Sequence, residues 1–442
     1  IEAESLENNV DEELVLLDEY LLNNSDPNFI KNVLSNSNNI KSNVLQSELS
    51  NYLYNLDLDF NKKTNRNIYF NIVDYFYKIG NLTKSYSLIK TKNLENDENI
   101  SYYNTLVLNH FLSSFQLEQA CNFKDQLNDE NLLNSNLKDK IEIFCLILNN
   151  NLSEAMLLNS IMQETESISD QNFQNLFSLL IGEEVLDIND TNWFDKKINP
   201  DLIFLYSAMA RIAELPLTSE FLDVDPLNMS IPIILNRSTP IDLRIRATNE
   251  SFMNKSLTID SLAALYQSVD FTSKQLNNIE ATVSELSGNT DLLMAYYFQI
   301  INIQIFPSER LEALDNFLSF AKEYNLEEIA YPLAYKIIDS VEISSDYIPY
   351  SLQISTAFIF NNEFEKALKW IDFYESVNGT DNKSMIVRLL LDLYSLDDVS
   401  SMIEKISLNL DILTKIDNKN NEELLYILFD ILGEKQQKYL SQ

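Results

Sequence analysis

Two cysteines, one histidine and an abundance of carboxylates are the residues with which this 442-residue chain could do chemistry. Cys121, Cys145 and His110 are too few for a zinc finger, a three-histidine site or an iron–sulfur cluster, so no metal and no cofactor is expected. A cysteine paired with His110 would be a nucleophile and its base, but both cysteines fall at positions that read as buried. His110 stands beside Phe111 near a helix end, where a histidine caps or packs. No serine–histidine–aspartate set is visible, and no catalytic residue is expected. Carboxylate pairs such as Glu183-Glu184, Asp223 with Asp225, and Asp397-Asp398 read as solvated surface among 67 acidic side chains. Asp187-Ile188-Asn189-Asp190 starts like a calcium loop but lacks the glycine at position six and the closing glutamate. Five glycines leave no phosphate-cradling loop.

The elements that would position these residues are helices. From residue 28 to 199 there is no proline, and amphipathic runs of helical period follow one another, broken by Asn, Asp and Ser clusters. Three of the breaks share one pattern. A bulky residue is followed six residues on by an apolar one, and three further on by a small one. The sets are Phe76, Leu82, Ser85; Phe111, Leu117, Ala120; and Leu146, Leu152, Ala155. The small residues recur every 35 positions, close to the 34 of a tetratricopeptide repeat, in which a small side chain lets two helices cross closely. The pattern returns at Phe358, Phe364, Ala367. The fold expected is all-α: an α-solenoid of antiparallel, tetratricopeptide-like helix pairs.

Five of the nine prolines lie in residues 200–240 (Pro200, Pro216, Pro226, Pro232 and Pro240) and forbid long regular helices there. The organisation expected is an acidic segment with a short helix at 1–26, repeats at 27–199, a proline-rich connector at 200–240, and further repeats at 241–442. Trp193 and Trp370 read as packing anchors.

In this repeat scheme Cys121 lies early in the second helix of one pair, and Cys145 late in the first helix of the next. Those helices should run antiparallel and touch, which brings the two thiols within disulfide range. The alternative is two buried free cysteines acting as small hydrophobes.

The formal net charge is −35, from 67 acidic against 32 basic residues, which repels phosphate backbones and argues against nucleic acid as a partner. Residues 1–20 hold eight acidic side chains and no basic one. At 45% hydrophobic residues the chain is no disordered polyanion. No stretch approaches the ~18 uninterrupted apolar residues of a membrane span. A start at Ile1 is read as the end left by a removed signal peptide.

Two stretches carry a resemblance. Asp242-Leu243-Arg244-Ile245-Arg246-Ala247 and Ser261-Leu262-Ala263-Ala264-Leu265-Tyr266-Gln267-Ser268-Val269-Asp270-Phe271 resemble a group of alphaproteobacterial proteins with signal peptides, some loosely labelled antifreeze-glycopeptide-like. The settings Gln119-Ala120-Cys121 and Ile143-Phe144-Cys145 are similar to that group's two cysteine positions. The resemblance implies a periplasmic, helical, disulfide-bearing protein and carries over no catalytic residue. The function expected is a non-enzymatic scaffold or adaptor that binds another protein in the cell envelope, of unspecified oligomeric state, with a cytoplasmic location as the alternative. The competing readings are a solenoid-type enzyme, or enzyme domain, acting on peptidoglycan, and a structural subunit of a larger envelope assembly.

Overall fold

The computed structural model describes residues 27–37, 43–94 except 57, 59 and 61, then 97–127, 133, 135–165, 170–182, 197–254 and 256–394. The acidic segment 1–26, the carboxylate pairs at 183–184 and 397–398, the 187–190 loop, Trp193 and the helical runs expected after residue 396 lie outside the described residues. Among the described residues there are 22 α-helices and no strand. The chain forms two compact units, Ile1–Leu257 and Thr258–Gln442. Each is built from helix pairs, as an α-solenoid is.

The first unit contains α1 (Pro27–Ser37), α2 (Asn43–Asn55), α3 (Lys63–Lys78), α4 (Leu82–Thr91), α5 (Ile100–Ser113), α6 (Leu117–Gln126), α7 (Ser135–Leu148), α8 (Leu152–Thr165), α9 (Gln171–Leu180), α10 (Ile203–Ile212), α11 (Ser219–Val224), α12 (Ser230–Leu235) and α13 (Ile241–Met253). In the second are α14 (Ile259–Gln267), α15 (Ser273–Asn277), α16 (Ile279–Leu286), α17 (Thr290–Ile303), α18 (Pro307–Glu323), α19 (Glu327–Ile338), α20 (Ser351–Phe360), α21 (Phe364–Asn378) and α22 (Asn382–Tyr394).

The recurrent pattern is a backbone device. In each of the four sets the bulky residue's carbonyl accepts the N–H of the residue five positions on: Asn81 to Phe76, Gln116 to Phe111 and Asn151 to Leu146 at 2.8 Å, and Glu363 to Phe358 at 2.9 Å. The residue before that donor adopts the left-handed conformation: Gly80 at φ +80°, Phe115 at +59°, Asn150 at +59° and Asn362 at +60°. This is a helix end closed by a 6→1 bond, which satisfies a carbonyl the helix itself leaves open. The next helix begins at once and packs back on the first: α3 with α4, α5 with α6, α7 with α8, and α20 with α21. The small residues Ser85, Ala120, Ala155 and Ala367 are all 0% exposed, as close helix crossing requires. At the first joint Ser85 Oγ donates to the Val73 carbonyl across the pair at 3.0 Å; at the fourth, the equivalent crossing bond runs the other way, from Ser355 Oγ to Ala367 O at 3.0 Å.

A fifth joint of this kind links α18 to α19. Leu326 N donates to Ala321 O at 2.7 Å, Asn325 sits at φ +56°, and Ala330 is fully buried. The residue pattern does not reveal it, because the anchor is Ala321 and the sixth position holds Glu327.

The proline-rich stretch 200–240 lies inside the first unit rather than between the two. It contains α10 and the two six-residue helices α11 and α12, and it is bound to the repeats over long sequence distances. Asn228 Nδ2 donates to the Tyr77 carbonyl at 3.0 Å. Tyr77 Oη donates to Asp225 Oδ2 at 3.3 Å. Leu227 stands against Gly80, where an added Cβ would come within 2.7 Å of the leucine Cβ. Gly80 is therefore required twice, for its positive φ and for this approach. Within the stretch, Asn236 Nδ2 donates to Leu215 O at 2.8 Å and Leu217 N to Thr239 Oγ1 at 2.9 Å. Prolines limit helix length here, and side chains satisfy the backbone instead.

Candidate functional site

The repeat geometry brings the two cysteines together. Cys121, one turn into α6, and Cys145, near the end of α7, form a disulfide with their Cα atoms 5.6 Å apart. Both are buried. A Lys124–Glu142 ion pair at 2.5 Å spans the same two helices. Helix α6 buries only Ala120 and Cys121 and has no side-chain cap at its start. The disulfide ties this helix to α7, beside the half-buried Leu117 and Phe123 that pack on the core.

His110 lies within α5, half-buried. Its ring stacks on Tyr86 with centroids 4.0 Å apart and planes 8° apart, and Lys90 Nζ lies 4.9 Å above the far partner of that stack, Tyr86. Burial, with Lys90 adding to it, lowers the His110 pKa to about 4. The ring is neutral at pH 7 and packs as an aromatic. It meets neither cysteine in a nucleophile–base pair, since the cysteines are bonded to each other.

Two buried polar clusters serve the packing. Lys140, 1% exposed, lies 3.3 Å from Asn136 Oδ1 and 3.8 Å from Asp170 Oδ2, and Tyr206 Oη donates to the same Asp170 oxygen at 2.6 Å. Asp170 also caps α9 through Phe173 N. This cluster joins α7, α9 and α10. Burial raises the pKa of Asp225 despite its bonds from Asn228 and Tyr77. Its oxygens are occupied by the Asn228 N–H groups and the Tyr77 hydroxyl, and it lines neither of the recesses described next. Trp370 is buried against Phe373, as a packing anchor is.

One recess lies in the second unit, about 320 Å³, among α14, α17, α18 and α19. Its cations are engaged: Lys336 pairs with Asp260, and Arg310 donates to the Gln304 carbonyl at 2.8 Å. The other lies in the first unit, about 670 Å³, where the end of α5, the end of α10 and the turn after α12 converge. Its walls include Ser114, Phe115, Arg211, Glu214, Leu235 and Arg237. Arg211 Nη1 donates to Ser113 O at 3.2 Å and its Nη2 to Leu112 O, so the guanidinium closes the carbonyl end of α5 from a position about a hundred residues away in sequence. The Phe115 ring lies 4.4 Å from the same guanidinium carbon, in cation–π contact. Burial lowers the Arg211 pKa to about 10, which leaves it charged at neutral pH.

The residue pattern pointed to none of Phe115, Arg211 or Arg237. One signal was available: in the 35-residue register Phe115 stands where Gly80 and Asn150 stand, at a position that calls for a residue tolerant of positive φ.

No family model and no curated protein matches the chain. Among solved structures, the chain is similar to the crystal structure of yeast Tom70, at 12% identity over 87% of this chain and 84% of that one, with a TM-score of 0.19. The reading of the fold rests on the helix pairs and their repeated joints.

Proposed function

We propose that the protein is a non-enzymatic, periplasmic α-solenoid scaffold that binds another protein of the cell envelope. The observation that carries the reading is the train of equivalent joints at Phe76, Phe111 and Leu146, 35 residues apart, which stacks helix pairs into a repeat array. Arrays of this kind offer extended surfaces suited to protein partners. The Cys121–Cys145 disulfide supports an oxidising compartment, where such bonds persist. The resemblance of the Asp242–Ala247 and Ser261–Phe271 stretches to secreted alphaproteobacterial proteins points the same way.

The test is affinity capture with the full chain from periplasmic extract, followed by reconstitution with purified components. One protein retained in stoichiometric amount is the expected result. No partner in repeated captures, together with release of muropeptides by the purified chain, would replace the scaffold by a peptidoglycan-acting enzyme. The compartment is tested separately. Protein isolated from its native location should gain two hydrogens in mass on reduction, and two free thiols there would refute the periplasmic reading.

A further inference from the structure

The stretch between Lys197 and Asn228 crosses the repeats of the first unit in reverse order. It starts on α9, where Asn172 Nδ2 donates to the Lys197 carbonyl at 3.2 Å. Residues 200–202 then pack on α7, and α10 packs on α9 and α5. Arg211 closes the carbonyl end of α5. Asp225 and Asn228 finally meet Tyr77 on α3. Helices α3, α5 and α7 are the first helices of their pairs, so the stretch lies across one row of equivalent elements.

The middle of the stretch has the character of a bound helix. In α10 the eight residues from Ile203 to Ala210 are buried without a break. A surface helix keeps a polar face, whereas one buried all round fills a space that others enclose. The repeats keep a frame of their own without it. Each first helix is closed by its own 6→1 bond and packs on its own second helix. An array of this kind is held by contacts between neighbouring repeats. Two buried polar clusters place the stretch on the row: Tyr206 with Asp170 and Lys140 near one end, Asp225 and Asn228 with Tyr77 at the other. Buried charges of this sort fix register better than they add stability.

We infer that this row, α3, α5 and α7 with α9, is the face on which the scaffold takes up a helix of its partner, and that residues 197–228 fill it as an internal ligand. The inference rests on the scaffold reading and names the partner's chemistry. The partner presents an apolar helix with an arginine in its last turn, as α10 presents Arg211. Partner and stretch exclude each other on the row.

Hydrogen exchange on the unaltered chain is the first test. Amides of α10 should exchange through an opening that leaves those of α3 and α5 protected. Exchange of α10 only together with α3 and α5 would make the stretch core and overturn the inference. The second test frees the row. Sites for a sequence-specific protease are inserted after Lys196 and after Arg237, and the uncut chain is matched to the unaltered one by melting temperature. After cutting, the fragment is washed out in mild urea. The remaining chain should keep the circular dichroism of its other helices and bind a labelled peptide of residues 199–213 one to one. The uncut chain, and the Arg211→Gln peptide on the cut chain, should each bind about tenfold more weakly or worse. Loss of the whole helical signal with the fragment, or equal peptide binding by cut and uncut chains, would overturn the internal ligand. An envelope partner should be captured by the cut, washed chain in preference to the uncut one. Equal capture by both would leave the scaffold standing and take its binding off this row. Capture by neither would overturn the scaffold reading, and with it the partner's place on the row, whatever the peptide does.

Discussion

The repeats between residues 63 and 165 and the proline-rich stretch between 197 and 240 belong to one compact unit and are held by different means. In the repeats, the first helix of each pair (α3, α5 and α7) is closed by its own backbone, through one left-handed residue and one 6→1 bond. In the proline-rich stretch α10 ends the same way, with Leu215 N on Ala210 O at 2.9 Å and Glu214 at φ +58°, but the bonds that tie the stretch down are made by side chains: Asn228 to Tyr77, Arg211 to Leu112 and Ser113, Asn236 to Leu215. The first arrangement is local and repeats with the sequence. The second exists only once the chain has folded back. The difference teaches where specificity enters: a joint that recurs is a packing device, and the recess appears where the irregular stretch meets one of those joints.

The largest expected effect breaks the repeat side. Phe76 is fully buried, contacts Tyr54 and Tyr75 edge-on, and anchors the first joint. Phe76→Ala should cost about 3–5 kcal/mol, read as a lower urea midpoint. A loss below about 1 kcal/mol would mean the joints do not carry the unit.

The middle effect falls on the irregular side. Asn228→Ala removes the Nδ2 bonds to the Tyr77 carbonyl, which is left with the Gly80 N–H alone, and to both Asp225 oxygens. It should cost about 1–3 kcal/mol. If repeats and stretch form one cooperative unit, the transition stays single; a separate early transition would show that the stretch unfolds alone.

The smallest effect is a pH slope within the repeats. The folded state holds His110 neutral down to about pH 4, while an unfolded chain protonates it near 6.5. Between those values the unfolded state binds more protons. The stability His110 contributes is therefore complete above about pH 6.5 and is lost as pH falls toward 4. His110→Phe keeps a ring on Tyr86 without titrating. It should flatten the fall in melting temperature across that window; an unchanged slope would place the acid sensitivity elsewhere.

Much of the fold was legible in the sequence, because helical periodicity and the small residue at each crossing are local signals. The helical repeats expected from residue 241 onward are met, among the described residues, by α13, α14 and α17 to α22. The short helices α15 and α16 were not anticipated. They are five and eight residues long, too short to show a period. The joint at Ala321 escaped because its geometry needs a backbone conformation rather than a bulky anchor. The cysteine pairing followed from the 35-residue register, which sets α6 beside α7. The recess at the end of α5 did not. Arg211 reads as an ordinary helix-end cation, and Arg237 as a loop residue.

By itself, then, the sequence determined the helical class, the repeat period, the joints with a bulky anchor and the partners of the disulfide. All of these depend on residues within about one repeat of each other. Only the tertiary structure decided that the proline-rich stretch belongs to the first unit and that Gly80 admits Leu227. It alone brought Phe115, Arg211, Glu214 and Arg237 to one recess. Those placements depend on contacts across roughly a hundred residues or more, which no local pattern encodes and which close only when the repeats are already stacked.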